Sequence, residues 1–447
     1  MRTPKKSTRR TASAPLGRPG DDAIWPRVTR ELADDLAVDA LARDRAGKAP
    51  FDEVARLQEA GLPALLTAPG PSGRGADWHT ACGVVREISA ADGSIGELLA
   101  HHCVLSWTSR FLGPGPGTAA TDLPARTVDG AWLLAGAVEP GPAGLDLTPA
   151  GLDLTPAGGG AYVLDGRRAF ASGVTVADRL VVGARCTETG DLLLVLVDPA
   201  HPAVFTEPYA ERVGQRLAGA GTVAFDRVPV AAADVLGALP TDEHAVSPYA
   251  TLAPLALRLL LVHVGLGIAE GALAEARDIS RAGQAGPPPV AGAGRPDGAV
   301  EPGPGDDPYL LLAYGELATA AHTAATVVER ATDALAHGLL AEGDLGVEER
   351  ADIAVLVAAA ETVANRAAMD ITTRILELVD QAPPPGGDRT VTGTAADPHG
   401  SAPGGPGFDR FWRNVRALTA PVSPDHRLRD IGDHYLHGTH ARLTLLA

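Results

Sequence analysis

The chain has 447 residues, a formal net charge of −17 at pH 7, and hydrophobic residues at 45% of its positions. This length can supply two or three domains that share cores, and the acidic balance excludes a broad nucleic-acid or anionic-lipid surface as the leading function. The cysteines are Cys82, Cys103 and Cys186, and they form no CxxC pair. Such a sparse, odd set argues against a disulfide framework and favours a reducing cytoplasm.

The first quarter of the chain predicts a basic tail followed by a helical domain. Residues 1–23 are basic but lack the apolar run of a signal peptide, so we expect a flexible tail. Residues 24–125 follow a helical period and form the predicted N-terminal domain. Ser94 is the expected N-cap of its fourth helix, with Glu97 at the capping-box position.

Residues 126–240 change to a strand pattern and predict a small central β-domain. Asp165-Gly166 interrupts an apolar run and predicts a hairpin turn between Tyr162–Leu164 and Arg167–Ala171. The segment GLDLTPA occurs twice, at 144–150 and 151–157, and is expected to lengthen a loop. A neutral duplication is favoured over a lid. The other strand candidates are Ala131–Val138, Leu180–Val182, Leu192–Val197 and Gly221–Phe225.

Residues 241–447 return to the helical period and predict a C-terminal four-helix bundle. Gly/Pro-rich insertions at 282–307 and 381–407 interrupt it and are expected to be mobile loops. The apolar stretch 252–273 contains three charged or titratable residues, so a buried helix is favoured over a membrane span. The helix candidates are Leu252–Ala276, Pro308–Gly338, Val347–Val379, Phe408–Ala420 and Arg427–Leu436.

Helices, a small β-domain and a helical bundle follow one another in the order of the acyl-CoA dehydrogenase fold, a mainly α member of the α+β class. Several segments also resemble flavin enzymes of the dibenzothiophene monooxygenase type, and FDRFWRN is the most specific of them. The resemblance covers nearly the whole chain in consistent order. Its segments are Arg86–Ile88, Ala91–His102, Leu164–Gly173, Val213–Val230, Phe408–Arg416 and Arg429–Gly438.

The resemblance implies a two-component monooxygenase that oxygenates a small aromatic or polycyclic substrate with reduced flavin and O₂. A separate reductase would supply the flavin, usually FMN in this subgroup, although FAD stays open. The flavin would lie between the β-domain and the bundle of a homotetramer or dimer. The Ala/Gly/Arg-rich composition indicates a GC-rich bacterial source, which suggests specialised metabolism by association. A plain acyl-CoA dehydrogenase is disfavoured, because its Glu-Gly-Thr type segment is missing.

Two segments supply the first candidate site residues. His102 shares a helix face with Leu98 and Leu99, which by itself favours a core histidine. It also matches a family histidine that borders the reaction site, so a catalytic proton shuttle is an equal alternative, with His101 as second choice. The resemblance places Ser172 and Gly173 against the flavin, although a serine that closes a strand end is the simpler interpretation.

The late segment FDRFWRNVR supplies further candidates by resemblance. Arg413 and Asn414 would act in the flavin and substrate cleft, and Arg413 and Arg416 would meet flavin phosphate or oxygen-derived charge. An ion pair, including Asp409 with Arg413 at i+4, is the simpler alternative. Gln215 and Arg216 are further candidate cofactor ligands.

Several positions depart from the family pattern. Ala218 and Ala220 stand where the family has Thr and Ser, and Leu418 and Pro421 stand where it has histidines. These changes remove donors that would stabilise oxygen-derived charge, unless His426 or His434 replaces them. They keep open a rival function, namely a flavin-independent cyclisation, rearrangement or dehydration, or ligand binding alone. No strong metal-binding spacing occurs in the sequence.

Overall fold

The described parts of the chain, in a computed structural model, contain every element discussed below. Predictions for the basic tail 1–23, for nearly all of the two insertions and for Pro421 lie outside these residues. The described ranges are 24–67, 75–112, 123–136, 139–141, 144–146, 151–209, 212–239, 246–284, 308–380, 407–420 and 424–439.

The N-terminal region is helical, as predicted. The helices are α1 (Ile24–Val38), α2 (Ala40–Ala46), α3 (Phe51–Glu59), α4 (Trp78–Ala91), α5 (Gly93–Leu105), α6 (Thr108–Leu112) and α7 (Leu123–Gly130). Every residue of α5 is buried, so this helix runs through the interior. Its N-cap is Asp92, whose Oδ1 accepts hydrogen bonds from the backbone N–H of Ser94 and Ile95 at 3.0 and 3.4 Å. The prediction of a Ser94 cap is therefore wrong, and Glu97 makes no capping box.

The central region forms one mixed sheet and a small two-stranded ribbon. The sheet runs in the order β10-β7-β6-β4-β5-β9-β8, with β1 paired in parallel to β6, and β2 pairs with β3 in the ribbon. The strands are β1 (Leu134–Gly136), β2 (Glu139–Gly141), β3 (Gly144–Asp146), β4 (Leu152–Gly158), β5 (Ala161–Phe170), β6 (Arg179–Cys186), β7 (Leu192–Val197), β8 (Val204–Pro208), β9 (Gly221–Val230) and β10 (Val235–Leu239).

Strand β5 overturns the predicted hairpin at Asp165-Gly166. It runs unbroken from Ala161 to Phe170 and pairs with β4 on one edge and β9 on the other. Gly166 has φ +122° and marks an irregularity in the pairing with β9. A Cβ there would lie 1.8 Å from the Gly151 oxygen, so the glycine permits close strand contact rather than a turn.

The second GLDLTPA copy also differs from its prediction. Its residues from Leu152 onward form most of β4, which inserts between β5 and β6 in the sheet. Leu152 and Leu154 are buried and alternate with exposed neighbours, as expected for a half-buried strand. The prediction of a loop is therefore wrong for this copy, because alternating apolar residues recruit it to the sheet.

The C-terminal region confirms the predicted long helices. Helix α8 packs against α9 and α10 and also against α4. Among the described residues it alone is long and apolar enough to cross a membrane, but 94% of its most apolar window is buried within the protein, as the sequence predicted. The helices are α8 (Leu252–Gln284), α9 (Pro308–Ala341), α10 (Val347–Asp380), α11 (Asp409–Thr419) and α12 (Pro424–His437).

Helix α5 lies where the three regions meet. It contacts α4 of its own region, β1 of the sheet, and α8 and α11 of the bundle. A side chain on α5 can therefore face both the sheet and the bundle. The proposed domain limits of 24–125, 126–240 and 241–447 stay predictions, since α4 and α5 share one continuous core with α8.

Candidate active site

A cavity of about 310 Å³ lies between α5, the end of β5, and helices α8 and α11. This volume is near the lower end for small-molecule sites. Most of its wall is apolar, and its polar groups come from α5 and from the segment that follows β8. The lining residues are Glu97, His101, Ala169, Phe170, Ala171, Tyr209, Arg212, Ala220, Leu261, Ala417 and Leu418.

His101, the second-choice histidine of the sequence, lies in this wall. Its Nδ1 is 2.9 Å from the backbone oxygen of Glu97, one helical turn earlier. Since a carbonyl oxygen only accepts, Nδ1 carries the hydrogen and Nε2 keeps a free lone pair. Nε2 is buried and has no hydrogen-bond partner among the described residues. Burial lowers the pKa of His101 to about 4, so the ring is neutral at pH 7.

Glu97 lines the same cavity, four residues before His101 on the same helix face. Its carboxyl is buried, and Oε2 lacks a partner within the described chain. Burial raises the pKa of Glu97 to about 7, and the nearby Arg212 charge offsets part of that rise. The carboxyl can therefore hold or release a proton near neutral pH, which suits acid–base work.

Arg212 and Tyr209 complete the polar part of the wall. Arg212 is half-buried, and its Nη1 donates to the Gln215 carbonyl at 3.0 Å. Its charge also lowers the pKa values of both Glu97 and His101, after the larger effects of burial. The sequence did not single out Glu97 for chemistry, or Arg212 and Tyr209 at all. The i, i+4 spacing of Glu97 and His101 was the sequence signal that could have identified Glu97 as a site residue.

His102 lies outside the cavity wall and is fully engaged in the core. Its Nε2 donates to the Pro63 oxygen at 2.9 Å, and its Nδ1 accepts from the Leu134 N–H at 3.0 Å. Burial lowers its pKa to about 4, so it is neutral. This geometry supports the core-histidine alternative and places His101, not His102, at the candidate site.

Ser172 and Gly173 follow the cavity residue Ala171. Ser172 is buried, and its contact with a flavin stays a prediction. Gly173 has φ +81°, and a Cβ at this position would lie 2.4 Å from the Ala135 Cβ. The glycine is therefore required by packing against β1, and the expected approach of a flavin ring to its backbone stays a prediction.

Gln215 and Arg216 lie in different surroundings, although they are adjacent in sequence. Gln215 is fully buried with φ +51°, and both polar atoms of its side-chain amide lack partners among the described residues. Arg216 is exposed, with its guanidinium beside Gly47. The structure therefore keeps Gln215 as a candidate ligand and separates Arg216 from it.

The polar residues of α11 bind other parts of the protein. Arg413 pairs with Asp44 at 2.6 Å and with Asp409 at 2.9 Å, and it donates to the Val213 oxygen at 2.8 Å. The Asp409 pair confirms the simpler alternative of the sequence. These contacts account for Arg413 without a phosphate, and its expected contact with flavin phosphate stays a prediction.

The other two α11 candidates do not enter the cavity wall either. Asn414 Oδ1 accepts from the Gln215 backbone N–H at 2.8 Å, so this side chain positions the segment between β8 and β9. Arg416 is exposed on the same helix. The structure thus brings Asn414 to Gln215 but leaves Arg416 on the surface, away from both.

The departures from the family pattern fall at the cavity. Ala220 and Leu418 both line it, and Ala218 is fully buried nearby in sequence. These residues make the sheet and bundle walls apolar. His426 and His434 lie on α12 and contribute nothing to the described lining.

The described residues nonetheless fit a flavin ring, which presents N–H and C=O groups along one edge. Among the described residues, unpartnered buried polar atoms occur on two neighbouring segments, namely the Gln215 amide in the segment after β8 and Thr175 Oγ1 after β5. Thr175 Oγ1 lies against Gly219, where a Cβ would be 2.6 Å away. Such atoms are rare in folded proteins unless a ligand or water satisfies them.

Comparison with known proteins identifies the family. The chain is 32% identical over 421 residues to the dibenzothiophene monooxygenase of Rhodococcus erythropolis, covering 92% of this chain and 93% of that one. It is 29% identical over 431 residues to a probable FMNH2-dependent monooxygenase, SfnC, of Pseudomonas putida, covering 95% and 97%. The chain belongs to the dibenzothiophene monooxygenase family of flavin-dependent monooxygenases. No model in a scan of protein families matches it.

Solved structures agree with this membership. The FMN-bound structure of TdsC from Paenibacillus sp. A11-2 superposes with a TM-score of 0.77 at 27% identity, covering 95% of this chain and 100% of that chain. Butyryl-CoA dehydrogenase from Megasphaera elsdenii, at 17% identity, has a TM-score of 0.68 over 95% of this chain and all of its own. The latter shows the fold alone, and together they confirm the predicted acyl-CoA dehydrogenase fold and monooxygenase family.

Proposed function

We propose that this monooxygenase uses reduced FMN and O₂ to oxygenate a small aromatic substrate held in the cavity beside α5. The observation that carries the proposal is the pair of Glu97 and His101, which line a largely apolar cavity and each keep one buried polar atom without a partner among the described residues. A ligand that fills such a site displaces water and lies beside acid–base groups. The FMN-dependent and FMN-bound relatives support the choice of cofactor.

The flavin would be held by residues near the end of β5 and the segment before β9. Ser172, Thr175 and the Gln215 amide are the candidates, and Asn414 positions Gln215 through its backbone. When bound, reduced FMN supplies the electrons that activate O₂ for transfer of an oxygen atom. Neither Arg413 nor Arg416 is assigned to the flavin phosphate, because Arg413 is paired with Asp44 and Asp409 and Arg416 is exposed.

The chain's own residues provide proton handling and shape. Glu97 carries a pKa raised by burial to about 7, so it can give or take a proton at the cavity wall. His101 stays neutral and offers Nε2 as an acceptor. Phe170, Leu261 and Leu418 supply apolar surface that excludes water and orients a planar molecule.

Flavin binding and oxygen incorporation test this function. Purified protein would be titrated with oxidised and reduced FMN and FAD, then supplied with NADH, a flavin reductase, isotopically heavy O₂ and a panel of small aromatic molecules. We expect tighter binding of reduced FMN than of FAD, and a product that contains the heavy oxygen label by mass spectrometry. Label appearing only from water, or no flavin binding, would contradict the proposal.

A flavin-independent reaction stays a second candidate because of one observation. Ala220 and Leu418 replace polar family residues and both line the cavity, which removes donors from two of its walls. This candidate predicts that flavin-free protein converts an aromatic substrate at an undiminished rate. The same assay without flavin and reductase separates the two functions.

The expected partners are a transient flavin reductase and further copies of this chain, in a homotetramer or dimer. The reductase follows from the two-component chemistry of the family. Large apolar side chains exposed at the start of α9, namely Tyr309, Leu311 and Leu312, support a subunit contact there. Light scattering coupled to size exclusion measures the oligomer.

A cytoplasmic location stays a prediction, supported by three buried cysteines that are all free thiols.

A further inference from the structure

We propose that the substrate carries a phenolic hydroxyl, which donates its hydrogen to His101 Nε2 and accepts a hydrogen bond from Arg212. The inference rests on the proposed function, because it takes the aromatic substrate to occupy the cavity beside α5. It goes further by naming the polar group that this cavity recognises. It separates this chain from its relative named for dibenzothiophene, a sulfur heterocycle that has no hydrogen to donate.

The acceptors come from α5. His101 Nδ1–H is committed to the Glu97 carbonyl at 2.9 Å, so only the lone pair of Nε2 remains for a ligand. Glu97 Oε2 is a second buried atom in the same wall without a partner in the described part of the protein. Glu97 Oε2 is an acceptor in the ionised form of the carboxyl, whereas His101 Nε2 is an acceptor whichever form Glu97 takes. A ligand without a donor leaves Nε2 unpaired. The wall therefore selects molecules with an O–H or N–H group.

The donor comes from the segment after β8. Arg212 lines the cavity and commits Nη1 to the Gln215 carbonyl at 3.0 Å. A guanidinium has five N–H donors, so others remain for a ligand. A phenol oxygen has lone pairs to receive them, whereas the nitrogen of a neutral aromatic N–H group has none in the ring plane. A phenol therefore matches both the acceptors and the donor, and an indole-like N–H matches the acceptors alone.

The apolar walls set the shape of the rest of the molecule. Phe170, Leu261 and Leu418 come from the sheet and from two bundle helices, so they bound the cavity on several sides. Small residues at Ala169, Ala171, Ala220 and Ala417 leave room between them. Within about 310 Å³, an aromatic system of one to a few fused rings fits with its hydroxyl toward α5.

A matched ligand pair tests the proposal by binding rather than by turnover. Isothermal titration calorimetry would compare 2-naphthol with 2-methoxynaphthalene, which keeps the rings and the oxygen but lacks the O–H. We expect wild-type protein to bind 2-naphthol at least about 10-fold more tightly, the ratio for one hydrogen bond to a buried partner. Equal affinities, or failure of both ligands to bind, would overturn the proposal.

The His101→Phe variant removes the acceptor and keeps a ring of similar size. We expect its preference for 2-naphthol to fall to about 2-fold or less, while affinity for 2-methoxynaphthalene stays within about 3-fold of wild type. Retained binding of the ether shows that the cavity is intact. Arg416→Ala, at an exposed position outside the cavity, is the control and should keep the full preference. A preference that survives in His101→Phe would refute the assignment to His101.

The same titrations are run with and without oxidised FMN, which separates this inference from the proposed function. If flavin does not bind but the preference for 2-naphthol is intact, the proposed oxygenation is refuted and the recognition of a hydroxyl group is supported. Flavin-dependent oxygenation of aromatics without any preference for 2-naphthol sinks the hydroxyl recognition alone.

Discussion

Helices α5 and α11 both border the candidate site, but their polar side chains differ in whether they have partners within the protein. On α11, Arg410 pairs with Glu275, Arg413 pairs with Asp44 and Asp409, and Asn414 holds the Gln215 backbone. On α5, Glu97 and His101 each keep one buried polar atom without a partner in the described chain. The FDRFWRN segment, which has the most specific family resemblance, thus mainly makes contacts within the protein. The polar groups available to a ligand are Glu97 and His101 on α5.

The physical reason lies in the cost of unpaired polar atoms. A buried donor or acceptor without a partner costs about 1–3 kcal/mol, so folded proteins keep few of them. Glu97 and His101 sit beside an open cavity, where a ligand or water can compensate this cost. Groups that already hold protein partners gain nothing further from a ligand. This distinction predicts separate outcomes for stability and for binding in the two helices.

The largest expected effect is at His102, directly beside His101 on α5. His102→Ala removes a buried ring and leaves the Pro63 oxygen and the Leu134 N–H without partners, which should cost about 3–5 kcal/mol of unfolding free energy. Urea denaturation followed by circular dichroism measures it. His101→Ala, which loses one local hydrogen bond beside an existing cavity, should cost only about 1 kcal/mol. If His102→Ala is stable but inactive, the catalytic alternative for His102 is restored.

A somewhat smaller effect is expected on α11. Arg413→Met keeps the length of the side chain but leaves the buried Asp44 carboxylate unpaired, so unfolding free energy should fall by about 2–4 kcal/mol. The affinity for FMN, measured by flavin fluorescence, should change little. Exposed Arg416→Ala is the matched control and should stay within about 0.5 kcal/mol of wild type. A large loss of FMN affinity with intact stability would return Arg413 to the flavin phosphate.

The fold was largely predictable because its signals are periodic. Helices α8, α9 and α10 each carry thirty or more residues of regular apolar spacing, and strand β7 matches its predicted limits at Leu192 and Val197. The predicted turn at Asp165-Gly166 failed for a tertiary reason. Gly166 serves close contact with Gly151, which is a neighbour in the sheet rather than in local sequence.

The candidate site was less predictable, because its residues come together only in three dimensions. His101 and His102 are adjacent in sequence, and nothing local says which one meets Pro63 and Leu134 in the core. Arg212 reaches the α5 wall from a segment more than a hundred residues later. Glu97 carried a local signal, its i, i+4 spacing to His101. Its position near the start of the helix, however, also suggested a role in N-terminal capping. Asp92, one step before the helix, took that role.

The smallest expected effect is the pH dependence of stability that Glu97 causes. Burial raises the pKa of this carboxyl from its ordinary 4.5 to about 7 in the folded protein, so between these values the folded state holds a proton that the unfolded state has lost. Its contribution to stability is therefore full below pH ~4.5 and is lost as pH rises through about 7, by about 3 kcal/mol in total. Glu97→Gln cannot titrate and removes this slope.

The comparison of wild type with Glu97→Gln isolates that contribution. The neutral histidines His101, His102 and His263 have pKa values lowered by burial, so they destabilise the fold as pH falls below ~6.5 in both proteins. Their effect cancels in the difference between the two unfolding free energies. The advantage of Glu97→Gln should therefore grow from pH 5 to pH 8 by about 2–3 kcal/mol. A constant difference would mean that Glu97 is ionised across this range, held by a closer contact with Arg212, and could not supply a proton to the cavity.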